Sequence, residues 1–160
     1  MTEKQVLRGC EFFRTLSHWE FEKLWALVSE RHYDAGACIF QQGESADELF
    51  VVKEGKVALQ ISLNQGGGQP SRGMSVDIVT QSGTLGWSAL VEPYIYTLRA
   101  VCLQEVKVLC IGANDLRLLL RDNPDISREV MKGLVKVLVS RLEETRGLLV
   151  SERIPVLTQG

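Results

Sequence analysis

Apolar and polar positions divide the chain into three rhythms. From Ser17, the apolar residues Phe21, Leu24, Trp25 and Val28 recur every three or four positions among charged neighbours. That is the period of a helix with one face to bury. Ser17 stands as its N-cap, and Glu20 completes a reciprocal capping box with it. The spacing predicts a helix ending near Arg31, preceded by a shorter one around Lys4–Phe13. From Tyr33 the runs shorten and become β-prone, punctuated by Gly36, Gly43 and Gly55, where sharp reversals call for positive φ. Strands are predicted at about Cys38–Gln41, Leu49–Lys53, Lys56–Ser62, Ser75–Thr80, Ile95–Cys102 and Glu105–Ile111, with a glycine-rich hairpin loop over Asn64–Gly73.

Helical periodicity returns in "NDLRLLLRDNP", a short helix stopped at Asn123–Pro124, and then in a long helix from about Asp125 to Val150. The long helix carries two apolar rows. Ile126, Val130, Leu134 and Val137 lead to Arg141 along one side; Met131, Val135, Leu138, Leu142, Thr145 and Leu149 alternate along another. A helix that docks by one face needs one row, so the second reads as a two-stranded seam and predicts a homodimer. The fold class is therefore α+β: an eight-stranded β-roll, or jelly-roll-like barrel, with N-terminal helices and two C-terminal helices. One domain is expected over residues 1–150, with the roll at about 33–111, the final helices at about 113–150 and a tail at 151–160.

Composition narrows the chemistry. The 160 residues are 45% hydrophobic and 24% charged with a net charge of −2, enough for one core and without the basic surplus of a nucleic-acid binder. No apolar run approaches the roughly 20 residues that span a bilayer, and the N-terminus lacks a signal peptide's apolar centre. A cytoplasmic protein without a membrane partner is expected. The four cysteines never form C-x-x-C and there are two histidines, so no metal or other cofactor is expected. Ser88 in "GWSAL" lacks the frame of a hydrolytic nucleophile, so no catalytic residue is assigned.

The strings "YDAGACIFQQGESADELFVVKEGKVAL", "GTLGWSALVEPYIYTLRA" and "LRLLLRDNPDISREVMKGLVKVLVSRL" resemble the cyclic nucleotide-binding domain of catabolite activator and Fnr regulators, kinase regulatory subunits and gated channels. The resemblance covers roughly residues 12–147. It implies a phosphate-binding cassette of the form Gly-Glu-x-Ala-Leu, a gap, then Arg-x-Ala-Thr-Val-x-Ala. In that family the carboxylate takes the ribose hydroxyl and the arginine takes the cyclic phosphate. Gly86, Ala89, Leu90, Thr97 and Ala100 match the pattern, with Leu98 for valine. Trp87 stands at the glutamate position, Tyr94 at the arginine position, and Tyr96 replaces a small alanine.

Arg99 offers no substitute if residues 94–100 are extended, because alternation puts it on the face opposite Tyr94, Tyr96, Leu98 and Ala100. A charge-assisted hydrogen bond contributes about 1.5–3 kcal/mol, and an unpaired buried charge costs roughly 3–5. Losing the arginine alone should weaken a cyclic nucleotide on the order of a hundredfold to a thousandfold. Gly86, Trp87, Ser88, Ala89, Leu90, Tyr94, Tyr96 and Thr97 are the pocket candidates. Either they hold a small polar ligand other than, or more weakly than, a cyclic nucleotide, or the aromatic trio fills the pocket. The expected function is a non-catalytic regulatory module signalling through its last helix. The alternatives are a genuine cyclic AMP or cyclic GMP sensor and a ligand-free interaction module. The segment after Val150, "SERIPVLTQG", is too short for a recognition helix, so direct DNA binding is not expected.

Overall fold

The computed structural model describes residues 2–63 and 72–158. Two capped helices begin the chain. In α1 (Glu3–Arg8), Thr2 and Gln5 exchange the reciprocal bonds of a capping box, and in α2 (His18–Trp25) Ser17 and Glu20 do the same. Eight strands follow: β1 (Val28–Tyr33), β2 (Cys38–Phe40), β3 (Glu48–Glu54), β4 (Val57–Leu63), β5 (Arg72–Val79), β6 (Thr84–Leu85), β7 (Arg99–Cys102) and β8 (Val106–Gly112). They form two four-stranded antiparallel sheets, ordered β1-β8-β3-β6 and β2-β7-β4-β5. The helices α3 (Ala113–Asp122) and α4 (Pro124–Thr158) close the fold. The α+β roll read from the sequence is the architecture found.

Four boundaries differ from the expectations, the first being the short helix expected to reach Phe13, which stops at Arg8. The helix expected to reach Arg31 stops at Trp25, and Val28–Tyr33 is β1. Val28 keeps helical spacing with Phe21, but Val28 pairs with Ile111, because the apolar strand β8 needs an outer neighbour to take its backbone groups. The strand expected over Ile95–Cys102 begins only at Arg99, and Ile95 makes a single bridge to Ser45. The helix expected to end near Val150 continues to Thr158. The glycine-rich loop expected over Asn64–Gly73 lies largely outside the described residues, and its last two residues, Arg72 and Gly73, lie in β5.

The core lies between the sheets and under the helices. Phe12, Phe13, Leu49, Leu109 and Ile111 are fully buried, joined by Leu24 from α2 and Leu116 from α3. The first row of α4 docks here: Ile126, Val130 and Leu134 are buried. Gly133 permits the approach, since a Cβ there would come within 2.5 Å of the Glu11 carbonyl oxygen and 2.7 Å of Phe12 Cα. The second row stays out. Val135, Leu138, Leu142 and Leu149 are all more than two-fifths exposed, while Met131 is half-buried against the core. Among the described residues no helix is long and apolar enough to cross a membrane. Folding does bring His32, Asp34 and Glu105 together at the surface, with ligand-type atoms within 4.8 Å of one another, which spacing along the chain gave no reason to expect.

Candidate functional site

The cassette begins where β6 ends. Gly86 takes φ +78°, a conformation that a side chain strains, and a Cβ would also sit 3.0 Å from both the Glu48 carbonyl oxygen and the Tyr96 ring. Trp87–Leu90 then makes one 3-10 turn, with Ser88 and Ala89 buried. The chain returns through Tyr94, itself at φ +58°, to β7. Backbone bonds fix this return: Ala46 N–H donates to the Tyr94 carbonyl at 2.7 Å, and Gly43 N–H donates to that of Tyr96 at 2.8 Å.

Aromatic rings occupy the space that this loop encloses. The Tyr96 ring stacks on Phe40 with centroids 3.9 Å apart and planes 14° apart, and Phe40 stacks in turn on Phe50 at 6.0 Å. The Tyr96 hydroxyl donates to the Glu48 carbonyl at 2.7 Å and accepts from the Glu48 N–H at 3.2 Å. Burial, reinforced by nearby carboxylates, pushes its pKa up to about 12, so the phenol is a neutral donor across the physiological range. Glu48 is held from outside as well, by a two-pronged ion pair with Arg31 at 2.8 and 2.9 Å. The cavity that remains among Phe40, Leu59, Trp87, Tyr96 and Leu98 measures about 20 Å³. Space of that size admits about one water molecule.

The candidate residues separate into two groups. Gly86, Trp87, Ser88, Tyr96 and Thr97 line the residual cavity. Ala89 and Leu90 pack behind it in the core, and Tyr94 faces α3. Arg99 points away, as alternation along β7 requires, and donates to Gln60 at 2.6 Å. The two aromatic residues that stand at the family's charged positions are each covered by an arginine from a C-terminal helix. Arg117 of α3 lies 3.7 Å over the Tyr94 ring and donates to the carbonyls of Ala89 and Ala46 at 2.9 and 3.1 Å. Arg141 of α4 lies 5.1 Å over the Trp87 ring and pairs with Asp77 of β5. Cation–π contacts of this kind are worth about 0.5–2 kcal/mol, more when desolvated. The cassette is thus tied to both final helices by the protein's own side chains.

Sequence reasoning missed both arginines as site residues. Arg141 did leave a signal: it continues the row of buried Ile126, Val130 and Leu134 and half-buried Val137, where a solvent-facing cation would not belong. Arg117 left less, standing beside buried Leu116 and three positions before buried Leu120 on α3.

The cyclic nucleotide-binding domain family matches this chain over residues 30–123. The chain is 27% identical over 117 residues to a CRP-like cAMP-activated global transcriptional regulator of Mycobacterium tuberculosis, covering 73% of this chain and 48% of that one. It therefore spans about half the length of the curated relatives it matches. A crystal structure from Geobacter metallireducens, named for cyclic-nucleotide binding, superposes with a TM-score of 0.75 at 26% identity, over 89% of this chain and 99% of that one. A mutant regulatory subunit of a cAMP-independent protein kinase A from Trypanosoma brucei, bound to cAMP in its A site, shares the fold with a TM-score of 0.73 at 17% identity, over 92% of this chain and 50% of that one.

Proposed function

Because this chain belongs to the cyclic nucleotide-binding domain family, we propose that it is a non-catalytic regulatory module whose barrel takes a cyclic nucleotide at most weakly and whose output is the position of its last helix. One observation carries the reading: among the described residues, the space left beside the cassette is about 20 Å³, stacked shut by Phe40 and Tyr96. Small-molecule pockets run to about 300–1,000 Å³. Trp87 and Tyr94 supply neither the carboxylate nor the guanidinium of the family's cassette, and Arg117 and Arg141 hold the two rings against the helices instead. The small molecule that such a module senses is one other than a cyclic nucleotide, or a cyclic nucleotide bound far more weakly.

A thermal-unfolding titration with cyclic AMP and cyclic GMP tests this. A ligand at a hundred times its dissociation constant stabilises the native state by about 2.7 kcal/mol. No saturable rise in the unfolding midpoint is expected at micromolar nucleotide. A saturable rise there would show that the barrel opens to the family's ligand and would overturn the proposal.

The exposed row of Val135, Leu138, Leu142 and Leu149 supports a homodimer through α4, which would place the signalling helix between two copies. Sedimentation across a concentration series is expected to pass from monomer to dimer in the micromolar range, with Leu138→Glu and Leu142→Glu together abolishing the transition. A wild-type chain that remains monomeric at high micromolar concentration would end this part of the proposal.

A further inference from the structure

A second cavity, of about 350 Å³, lies outside the barrel, between α4 and the turn that joins β5 to β6. It is within the size range of small-molecule sites, where the barrel space is not. Lys136, Ser140 and Arg141 line it from α4, Ser82 from the turn, Thr84 from the start of β6, and Glu11 from the segment after α1. Lys136 and Ser140 are one helical turn apart, so they present a cation and a hydroxyl to the same opening.

The charges in this cleft do not cancel. Glu11 is engaged by Arg14 at 3.1 Å. Arg141 gives one side to Asp77, and a guanidinium carries five N–H donors in all. Lys136 makes no ion pair among the described residues. The facing wall is fixed: Ser82 sits at φ +65°, its N–H donating to Val52 at 2.8 Å and its hydroxyl to the Val6 carbonyl at 2.9 Å. The rim therefore offers two cations and hydroxyl oxygens around a preformed volume, with Val137 supplying an apolar patch.

We propose that this cleft is the small-molecule site of the module, and that it takes a phosphate monoester on a short hydroxylated carbon skeleton. The dianion would lie between the Lys136 ammonium and the Arg141 guanidinium, with the skeleton against Val137 and its hydroxyls toward Ser140 and Ser82. Binding here draws on the residue that also covers Trp87 and pairs with Asp77, so occupancy is read out directly in the seating of α4. The proposal rests on the reading above that the barrel is closed to a cyclic phosphodiester, and the following experiment separates the two.

Amide chemical shifts of the labelled chain are followed while glycerol 3-phosphate, inorganic phosphate, glycerol or cyclic AMP is added at constant ionic strength. Glycerol 3-phosphate is expected to produce saturable shifts at Ser82–Thr84 and Lys136–Arg141, with glycerol producing none. Lys136→Gln, at an exposed position, should weaken that binding about tenfold or more, the worth of one charge-assisted hydrogen bond. The absence of saturable shifts across the millimolar range, or unchanged affinity in Lys136→Gln, would overturn the site. Equal affinity for inorganic phosphate would overturn the part of the proposal that concerns the carbon skeleton. Cyclic AMP shifting Gly86–Leu98 would overturn the closed barrel alone, whereas glycerol 3-phosphate shifting that segment in place of the cleft would overturn both.

Discussion

Tyr96→Ala is expected to cost this protein about 3–5 kcal/mol of stability, the range seen when a large buried aromatic ring is truncated. Native domains are stable by roughly 5–15 kcal/mol, so this is a large share. Two physical terms add. The ring is 5% exposed and stacked on Phe40, and its removal leaves a hole that Gly86 and Leu59, pinned by neighbouring strands, cannot fill. The hydroxyl also serves both the N–H and the carbonyl of Glu48, which would lose their partner. Tyr96→Phe keeps the stack and removes only the hydrogen bonds, so about 1–3 kcal/mol is expected of it. Urea denaturation measures both. Phenol in millimolar excess should then raise the unfolding midpoint of Tyr96→Ala but not of the wild type, since dry apolar cavities accept aromatic guests. A loss below about 1 kcal/mol for the alanine variant would mean that the ring does not fill the barrel. The site beside the cassette would then not be closed by Tyr96.

That ring shows how far the residues alone carry the argument. The substitution of tyrosine for a small alanine was visible in the string "YIYTLRA", and so was the loss of both charged anchors at Trp87 and Tyr94. The capping box at Ser17 and the turn glycines were equally legible, because each shows in residues a few positions apart. Gly55 was readable as a turn glycine, at φ +102° between β3 and β4, but the Glu105 carbonyl oxygen also leaves no room there for a Cβ, a reason that only the fold supplies. Strand β1 was not legible. Its residues are mostly exposed and polar, and what makes them a strand is the unpaired edge of β8, far along the chain. Strand β6, with two residues, is too short to carry any period. The direction of the Tyr94 ring was also out of reach, because a positive φ replaced the extended backbone from which alternation was counted. The arginines over Trp87 and Tyr94 come from helices that follow two further strands, β7 and β8. Only the interruption of an apolar row by Arg141 hinted at either.

Arg117→Leu is expected to loosen the cassette without unfolding the barrel. The arginine makes two charge-assisted hydrogen bonds to buried-side carbonyls and one stack on Tyr94. Charge-assisted bonds contribute about 1.5–3 kcal/mol each, and the stack about 0.5–2, with losses that overlap because all three hold one loop. A net local loss of about 3 kcal/mol would speed hydrogen exchange roughly a hundredfold at the amides that this loop protects. Ala46, which donates to Tyr94, and Ala89, which donates to Gly86, are the direct reporters. Amides of Lys107–Ile111, in the strand paired with both β1 and β3, should exchange as in the wild type. Arg117→Lys should recover little, since a point charge cannot bond two carbonyls and lie flat on a ring together. Equal acceleration in β8 and the cassette would show that Arg117 supports the fold as a whole. Unchanged exchange at Ala46 and Ala89 would show that it ties nothing down. Either outcome would remove the physical link through which the cassette and the final helices are held to move as one.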